Sequence, residues 1–410
     1  RSFLGTPAAG APEGLGAWGE LLRGWPVEAG WDAERGRFVR AARPVAKGET
    51  VLRAVPYAAA PLGSHVKRVC GGCMQARRGG RLELYCPGCA QVFYCSQECL
   101  EAHSRGTAGP ARRGSGTPTW RRPPHRLTCA PLKLFASGNL DAELESVLRL
   151  VVEVVALAHL EEASPAAATA AAEGGAADGA AERALVHRDF LLLQSHHGGM
   201  DARQRKELKK PLALLRRALG AGGWPDFQVP SEEELLSLVS RVDSNCFGMW
   251  SDRQSEGRGA GGQGGAEINE KAPECIGREV YIPASLFNHA CSPNCEIDAG
   301  HGWLEVVTVQ DVPKGEELLI SYIDVNRPSS ARRNYLKKFY KFDCKCPLCL
   351  EEAQGGSHKK YSYERSQKTP KKGKQGRGRK GKKGAAGSQA PGGGLSEKDI
   401  DNAFQKLMSS

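Results

Sequence analysis

Four short-spaced groups of soft ligands stand out in the first third of this chain. Cys70-x2-Cys73, Cys86-x2-Cys89, Cys95-x3-Cys99 and His125-x3-Cys129 offer eight thiol or imidazole donors. Zinc takes four such donors in a tetrahedron, and a close pair lets one turn deliver two of them. Eight donors therefore suit two ions. A later trio, Cys344-x-Cys346-x2-Cys349, offers three more, and a closed structural site needs a fourth. Two segments of another character precede that trio. Asn288-His289-Ala290-Cys291-Ser292-Pro293-Asn294 gathers amide, imidazole and thiol groups, and Gly315-Glu316-Glu317-Leu318-Leu319-Ile320-Ser321-Tyr322 ends on a phenol. Taken singly, each has an ordinary reading: Asn288-His289 as turn and cap, Tyr322 as a strand aromatic.

Thiol ligands need a reducing setting. The 14 cysteines cluster without any secretory signal, which points to metal and not to disulfides. The expected compartment is the cytoplasm or the nucleus. The apolar run Val147 to Leu160 carries Arg149 and Glu153 and is too short to cross a bilayer, so no membrane role is expected. The formal net charge of +11 has a single source. Lys359 to Lys383 holds nine Lys and three Arg against one Glu, and the rest of the chain balances at 45 basic and 45 acidic residues. That Lys/Gly tract reads as a disordered tail, suited to weak, salt-sensitive contact with nucleic acid or an acidic partner. A chain that opens on Arg1 reads as a fragment or a processed product.

The elements that must position these groups are partly legible. Residues 1–31 give no clear element. Phe38-Val39-Arg40-Ala41, a turn at Ala46-Lys47-Gly48-Glu49 and Thr50-Val51-Leu52 read as a hairpin. Val306 to Val309, Val312-Pro313-Lys314-Gly315-Glu316 and Leu318 to Ile320 repeat that device, so two similar hairpins of one β-rich unit are expected, with long material inserted between them. Glu143 to Leu160 is apolar on nearly every face and reads as a buried helix. Leu185 to Leu193, Lys206 to Leu219 and Glu232 to Val242 read as helices, the last with Ser231 as N-cap. Pro165 to Glu182 is low-complexity, Ser251 to Ala266 reads as a Gly-rich loop, and Ile400, Phe404 and Leu407 take helical spacing near the end.

In their order along the chain, these motifs resemble the SET-and-MYND family of protein-lysine methyltransferases. The resemblance covers residues 34 to 352, and Tyr94-Cys95-Ser96 matches the finger's wording. It implies an α+β fold, a β-rich SET domain split by a MYND zinc finger and a helical insert, closed by a zinc-binding post-SET segment. The implied divisions are 32–69 for the first SET part, 70–129 for the finger and 130–243 for the insert. The second SET part covers 244–325 and the post-SET segment 326–352. Around them lie an unassigned 1–31, a disordered basic tail at 353–394 and a short amphipathic helix at 395–410.

The resemblance also implies roles. In MYND fingers the ligand pairs alternate: Cys70, Cys73, Cys95 and Cys99 hold one ion, and Cys86, Cys89, His125 and Cys129 the other. An insertion around Gly106 to Pro124 leaves His103 as a rival to His125; the intact His-x3-Cys spacing favours His125 and makes His103 a surface helix residue. Cys291 is the implied fourth partner of Cys344, Cys346 and Cys349, with Cys295 competing. S-adenosylmethionine is the implied cofactor, three structural zinc ions the implied metals, and Tyr322 the implied catalytic residue. Arg35, Gly36, Arg37, Asn245, Asn288, His289, Tyr322 and Phe342 fall at cofactor-binding positions. Phe38 departs from the family's Gly-x-Gly opening, and a side chain there narrows the cofactor site or shifts its loop. The implied activity is transfer of methyl groups to lysines of histone or other proteins, with a peptide partner at the finger. The competing reading is a catalytically weak adaptor in transcriptional regulation.

Overall fold

The computed structural model describes residues 11–33, 35–77, 80–106, 120–163, 185–251, 274–300 and 302–354. The low-complexity stretch, the basic tail, the terminal amphipathic segment, nearly all of the Gly-rich loop and most of the 106–124 insertion lie outside them.

The N-terminal segment departs from its reading. Ala11–Leu21 forms helix α1 and Val27–Asp32 strand β1. Trp18, Leu21 and Leu22 are buried, a helical i, i+3, i+4 stripe that Gly16 and Gly19 disguise in the sequence. Strand β1 pairs antiparallel with β2 (Gly36–Ala41), Val27 opposite Ala41 and Asp32 opposite Gly36.

The two expected hairpins are corrected as well. Strand β2 does not fold back on β3 (Thr50–Ala54); β3 pairs with β11 (Trp303–Thr308). The repeated Lys-Gly segments instead meet each other. Val45 N donates to Val312 O at 2.9 Å and Val312 N to Val45 O at 2.8 Å. Gly48 N donates to Thr308 O and Gly315 N to Ala41 O, both at 2.8 Å. Thr308 and Ala41 each lie four residues before the valine of their own repeat, so the two copies are related by a local two-fold. Gly48 and Gly315 have φ of +81° and +84°, a conformation that favours glycine in both copies. Segments more than 250 residues apart in sequence thus close one β unit, which a pairing of neighbours cannot do.

Strand β4 (Ala58–Pro61) leaves this unit and leads into the finger, whose small hairpin β5 (Leu84–Tyr85) and β6 (Phe93–Tyr94) is followed by α2 (Gln97–Arg105). Helix α3 (His125–Phe135) carries finger residues at its start and packs on the insert at its end. Helix α4 (Ala142–Ala163) is the expected buried helix, with every residue from Ser146 to Ala158 buried. It packs against β4, α3 and, further on, α7. The helix read over 185–193 is the shorter α5 (His187–Leu191), followed by α6 (Ala202–Gly220) and α7 (Glu232–Asn245). Ser231 caps α7 as expected, accepting from Glu234 N at 3.3 Å while the Glu234 carboxylate returns to Ser231 N at 2.8 Å.

The chain then re-enters the sheets. β7 (Cys246–Trp250) and β8 (Cys275–Val280) join β4 in the order β4-β8-β7. β9 (Asn288–His289) lies apart from β10 (Cys295–Gly300), which pairs with β11. β12 (Leu319–Ile320) runs parallel to β9, Asn288 opposite Leu319 and His289 opposite Ile320. Helix α8 (Ser329–Tyr335) continues into a wider turn, Leu336–Tyr340, and α9 (Pro347–Ala353) ends the described chain. One apolar core runs through the sheets and insert. A separate small one gathers Cys291, Leu336, Cys344 and Cys349 with Tyr322, Tyr340 and Phe342.

Candidate active site and metal centres

Three ligand groups assemble from residues distant in sequence. Cys70, Cys73, Cys95 and Cys99 form one, Cys86, Cys89, His125 and Cys129 another, and Cys291, Cys344, Cys346 and Cys349 the third. Within each, the ligand atoms all lie within 4.8 Å of one another. Zn–S bonds of about 2.3 Å in a tetrahedron place sulfurs about 3.8 Å apart. The sulfurs are 3.7 Å apart for Cys73 and Cys95, 3.7 Å for Cys86 and Cys129, and 3.6 Å for Cys291 and Cys349. Such spacing is far too long for a disulfide and fits a shared cation. The three donor sets therefore suit zinc and can each hold one ion.

The rival ligands separate. His125 Nε2 lies 3.5 Å from Cys89 Sγ, and its Nδ1 meets Thr128 Oγ1 at 3.1 Å, which leaves Nε2 to face the cluster. His103 belongs to no ligand group among the described residues, yet it is no surface residue: it is 2% exposed, with Nδ1 3.2 Å from Tyr94 OH and its ring beside His125. Helix α2 turns it inward because Cys99, Ala102 and His103 share its buried face. Burial holds its imidazole well below the usual histidine range. Cys295 lies buried in β10 outside the third group, its thiol pushed up to about 12 by burial.

The parallel pairing of β9 with β12 sets the remaining candidates side by side. Tyr322 N donates to His289 Nδ1 at 3.0 Å, and the Tyr322 hydroxyl donates to Phe287 O at 2.6 Å. Burial pushes this phenol up to about 12, against the pull of Arg37. Asn288 Nδ2 donates to Arg37 O at 2.8 Å and to Glu317 Oε1 at 3.0 Å. Glu317 also pairs with Arg35 at 2.8 Å. Arg37 donates to Ser285 O at 2.9 Å and approaches Asn245 Oδ1 at 3.4 Å. No carboxylate pairs with Arg37 among the described residues, and burial lowers its pKa. Phe342 closes one side, its ring 6.1 Å from that of His289. Phe38 lies on the β1–β2 hairpin, where its ring covers Gly30 on the facing strand and Arg35 sits 4.3 Å from the ring centroid. A Cβ on Gly30 would run into that ring, so the glycine stands opposite the unexpected aromatic.

Sequence reasoning missed several residues that build the site. Tyr340, in the turn after α8, faces Tyr322 with ring centroids 4.9 Å apart. Asn294, which ends the Asn288 motif but had no role read for it, pins β12: its Nδ2 donates to Glu317 O and its Oδ1 accepts from Leu319 N, both at 2.8 Å. Arg122, inside the supposed insertion, is buried where three units meet. It donates to Gly71 O in the finger, to Ala59 O in β4 and to Glu153 of α4, whose carboxylate accepts from Ala59 N. One Arg among several in a run of Arg, Gly and Pro carries no sequence signal for such a joint.

A profile of the SET domain matches residues 36–323. The chain belongs to the SET-domain family. Among curated proteins it is 24% identical to N-lysine methyltransferase SMYD2 of Bos taurus over 316 residues, and 24% identical to that of Homo sapiens over 317. Each match covers 77% of this chain and 58% of the relative. A SET and MYND domain-containing protein of Dictyostelium discoideum is 24% identical over 354 residues, 80% of this chain and 60% of the relative. The chain thus spans a little under two thirds of the length of these relatives. With the finger's ligand groups in place, it is a SET protein of the SET-and-MYND kind.

Proposed function

We propose that this chain is an S-adenosylmethionine-dependent protein-lysine N-methyltransferase carrying three structural zinc ions. The observation that carries the reading is the β9–β12 pairing, which brings Tyr322 beside Asn288-His289. The surroundings fit the cofactor's chemistry. Arg37 is a half-buried cation without a carboxylate partner among the described residues, suited to a carboxylate ligand. Asn245 and Asn288 offer polar groups around it, and His289 orders the same corner by holding Tyr322 N and Cys291 Sγ with its two ring nitrogens. Arg35 and Gly36 edge the same loop, and Phe342 offers a flat apolar face to an adenine ring.

When bound, the cofactor supplies an electrophilic methyl group on a sulfonium. The protein's own part is positioning and exclusion of water. Tyr322 stays protonated at neutral pH, because burial raises its pKa, so it orients the substrate amine and is not a strong base. Tyr340 and Tyr322 form an apolar wall in which a lysine amine sheds its proton more readily, since burial disfavours the ammonium. The implied partner is a protein presenting a lysine, in the cytoplasm or nucleus. No helix among the described residues is long and apolar enough to cross a membrane.

Titration calorimetry with S-adenosylhomocysteine tests this reading. Wild-type protein should bind it, and Asn288→Ala should bind it more weakly. A wild-type protein that binds none would put the adaptor reading in front.

A further inference from the structure

Arg332 is the largest side chain among those fully buried, at 0% exposure. A buried guanidinium needs partners for its charge and its donors. On one side, Nη1 donates to Arg327 O at 2.6 Å and to Val325 O at 3.4 Å. On the other, Nη2 pairs with Glu352 Oε2 at 2.6 Å and sits 4.0 Å from Cys349 Sγ. The carbonyls belong to the loop that follows Tyr322 and Ile323. Glu352 lies in α9, one turn beyond Cys349. Four thiolates around one zinc ion carry a net charge of −2, and a cation beside them lowers the energy of holding them deprotonated. Glu352 offsets part of that benefit but fixes the fork's orientation.

We propose that Arg332 is a positioning residue with two separable roles: its charge stabilises the thiolate cluster of Cys291, Cys344, Cys346 and Cys349, and its fork ties that cluster to the loop behind Tyr322. The inference rests on the zinc-dependent methyltransferase reading. The geometry accounts for both roles. The planar guanidinium reaches the loop carbonyls with one nitrogen and the thiolate side with the other, which a single ammonium cannot reproduce. The small core of Cys291, Leu336, Cys344 and Cys349, into which Tyr322, Ile323 and Phe342 pack, completes the connection from metal to site.

The test compares wild type, Arg332→Lys, Arg332→Met and Cys344→Ser, each purified with zinc. Zinc release to a chromophoric chelator is followed, and S-adenosylhomocysteine binding is measured by calorimetry. Cys344→Ser identifies the release phase of the third site by losing it. In Arg332→Met that phase alone should quicken about 10- to 100-fold, the usual range for loss of a ligand's supporting contact. Arg332→Lys should restore slow release, because the charge is kept, while S-adenosylhomocysteine binding stays weakened, because the fork is lost. A purely structural role predicts that both variants loosen all three ions alike, and that result overturns the proposal. So does zinc release at the wild-type rate in both variants. If Cys344→Ser retains as much zinc as wild type, the third zinc site itself is wrong and the proposal falls with it.

Discussion

At the scale of single residues, each polar group of the site has a separate task. Tyr322→Phe keeps the ring between His289 and Tyr340 and removes only the hydroxyl that Phe287 O accepts from. Turnover should fall on the order of a hundredfold, as for loss of one well-placed polar group in a dry site, with zinc content kept and cofactor affinity changed far less than turnover. Because the phenol is pushed up to about 12, it remains neutral from pH 6 to pH 10. The rate should rise with pH over that range as the substrate amine loses its proton, with no falling limb from Tyr322. A fall centred near pH 8 in the pH–rate profile would count against a neutral phenol. The finger histidines make a second comparison. His125→Ala should lose one zinc ion. His103→Ala should keep all three yet cost about 1–3 kcal/mol in denaturant unfolding, from the lost partner of the Tyr94 hydroxyl and the space left behind. Spacing pointed to His125, which lies in the second ligand group; the inward turn of His103 was hidden because only the packed face of α2 reveals it.

Among the elements, local signals are legible in the sequence and distant pairings are not. The capping box Ser231–Glu234 and the apolar girth of α4 are written within a few residues. The partner of β3 lies about 250 residues away, so the repeated Lys-Gly turns suggested hairpins when they are two halves of one pseudo-symmetric closure. Phe38 has the same lesson, since its accommodation depends on Gly30 across the hairpin. Replacing Gly48 or Gly315 with Ala should cost on the order of 1 kcal/mol or more each, as both need positive φ. The joint at Arg122 is the stronger test. Arg122→Ala strands the buried Glu153 carboxylate between finger, β4 and α4, and should lower stability by about 3–5 kcal/mol. Denaturant titration reads this directly; a loss under 1 kcal/mol would show that the three units do not depend on that ion pair.

Across the whole molecule, three ligand groups and the proposed methyl-transfer site share structural elements. Helix α3 carries His125 and Cys129 and also packs on the insert, and the third cysteine group shares a small core with Tyr322 and Phe342. Elemental analysis should find about three zinc ions per chain by ligand count. Cys344→Ala should lower that by one and weaken cofactor binding at the same time. The order of the motifs was legible because each carries its own spacing, whereas the residues joining them, Arg122, Asn294 and Arg332, were not, since their roles exist only after folding. The measurement that bears most directly on the central claim is incubation of the purified chain with methyl-labelled S-adenosylmethionine and a whole-cell protein extract, followed by mapping of label to residues. The account predicts label on lysine side chains with wild type and nearly none with Tyr322→Phe. Equal labelling by the two proteins, or a zinc-replete wild type that labels nothing, would contradict it.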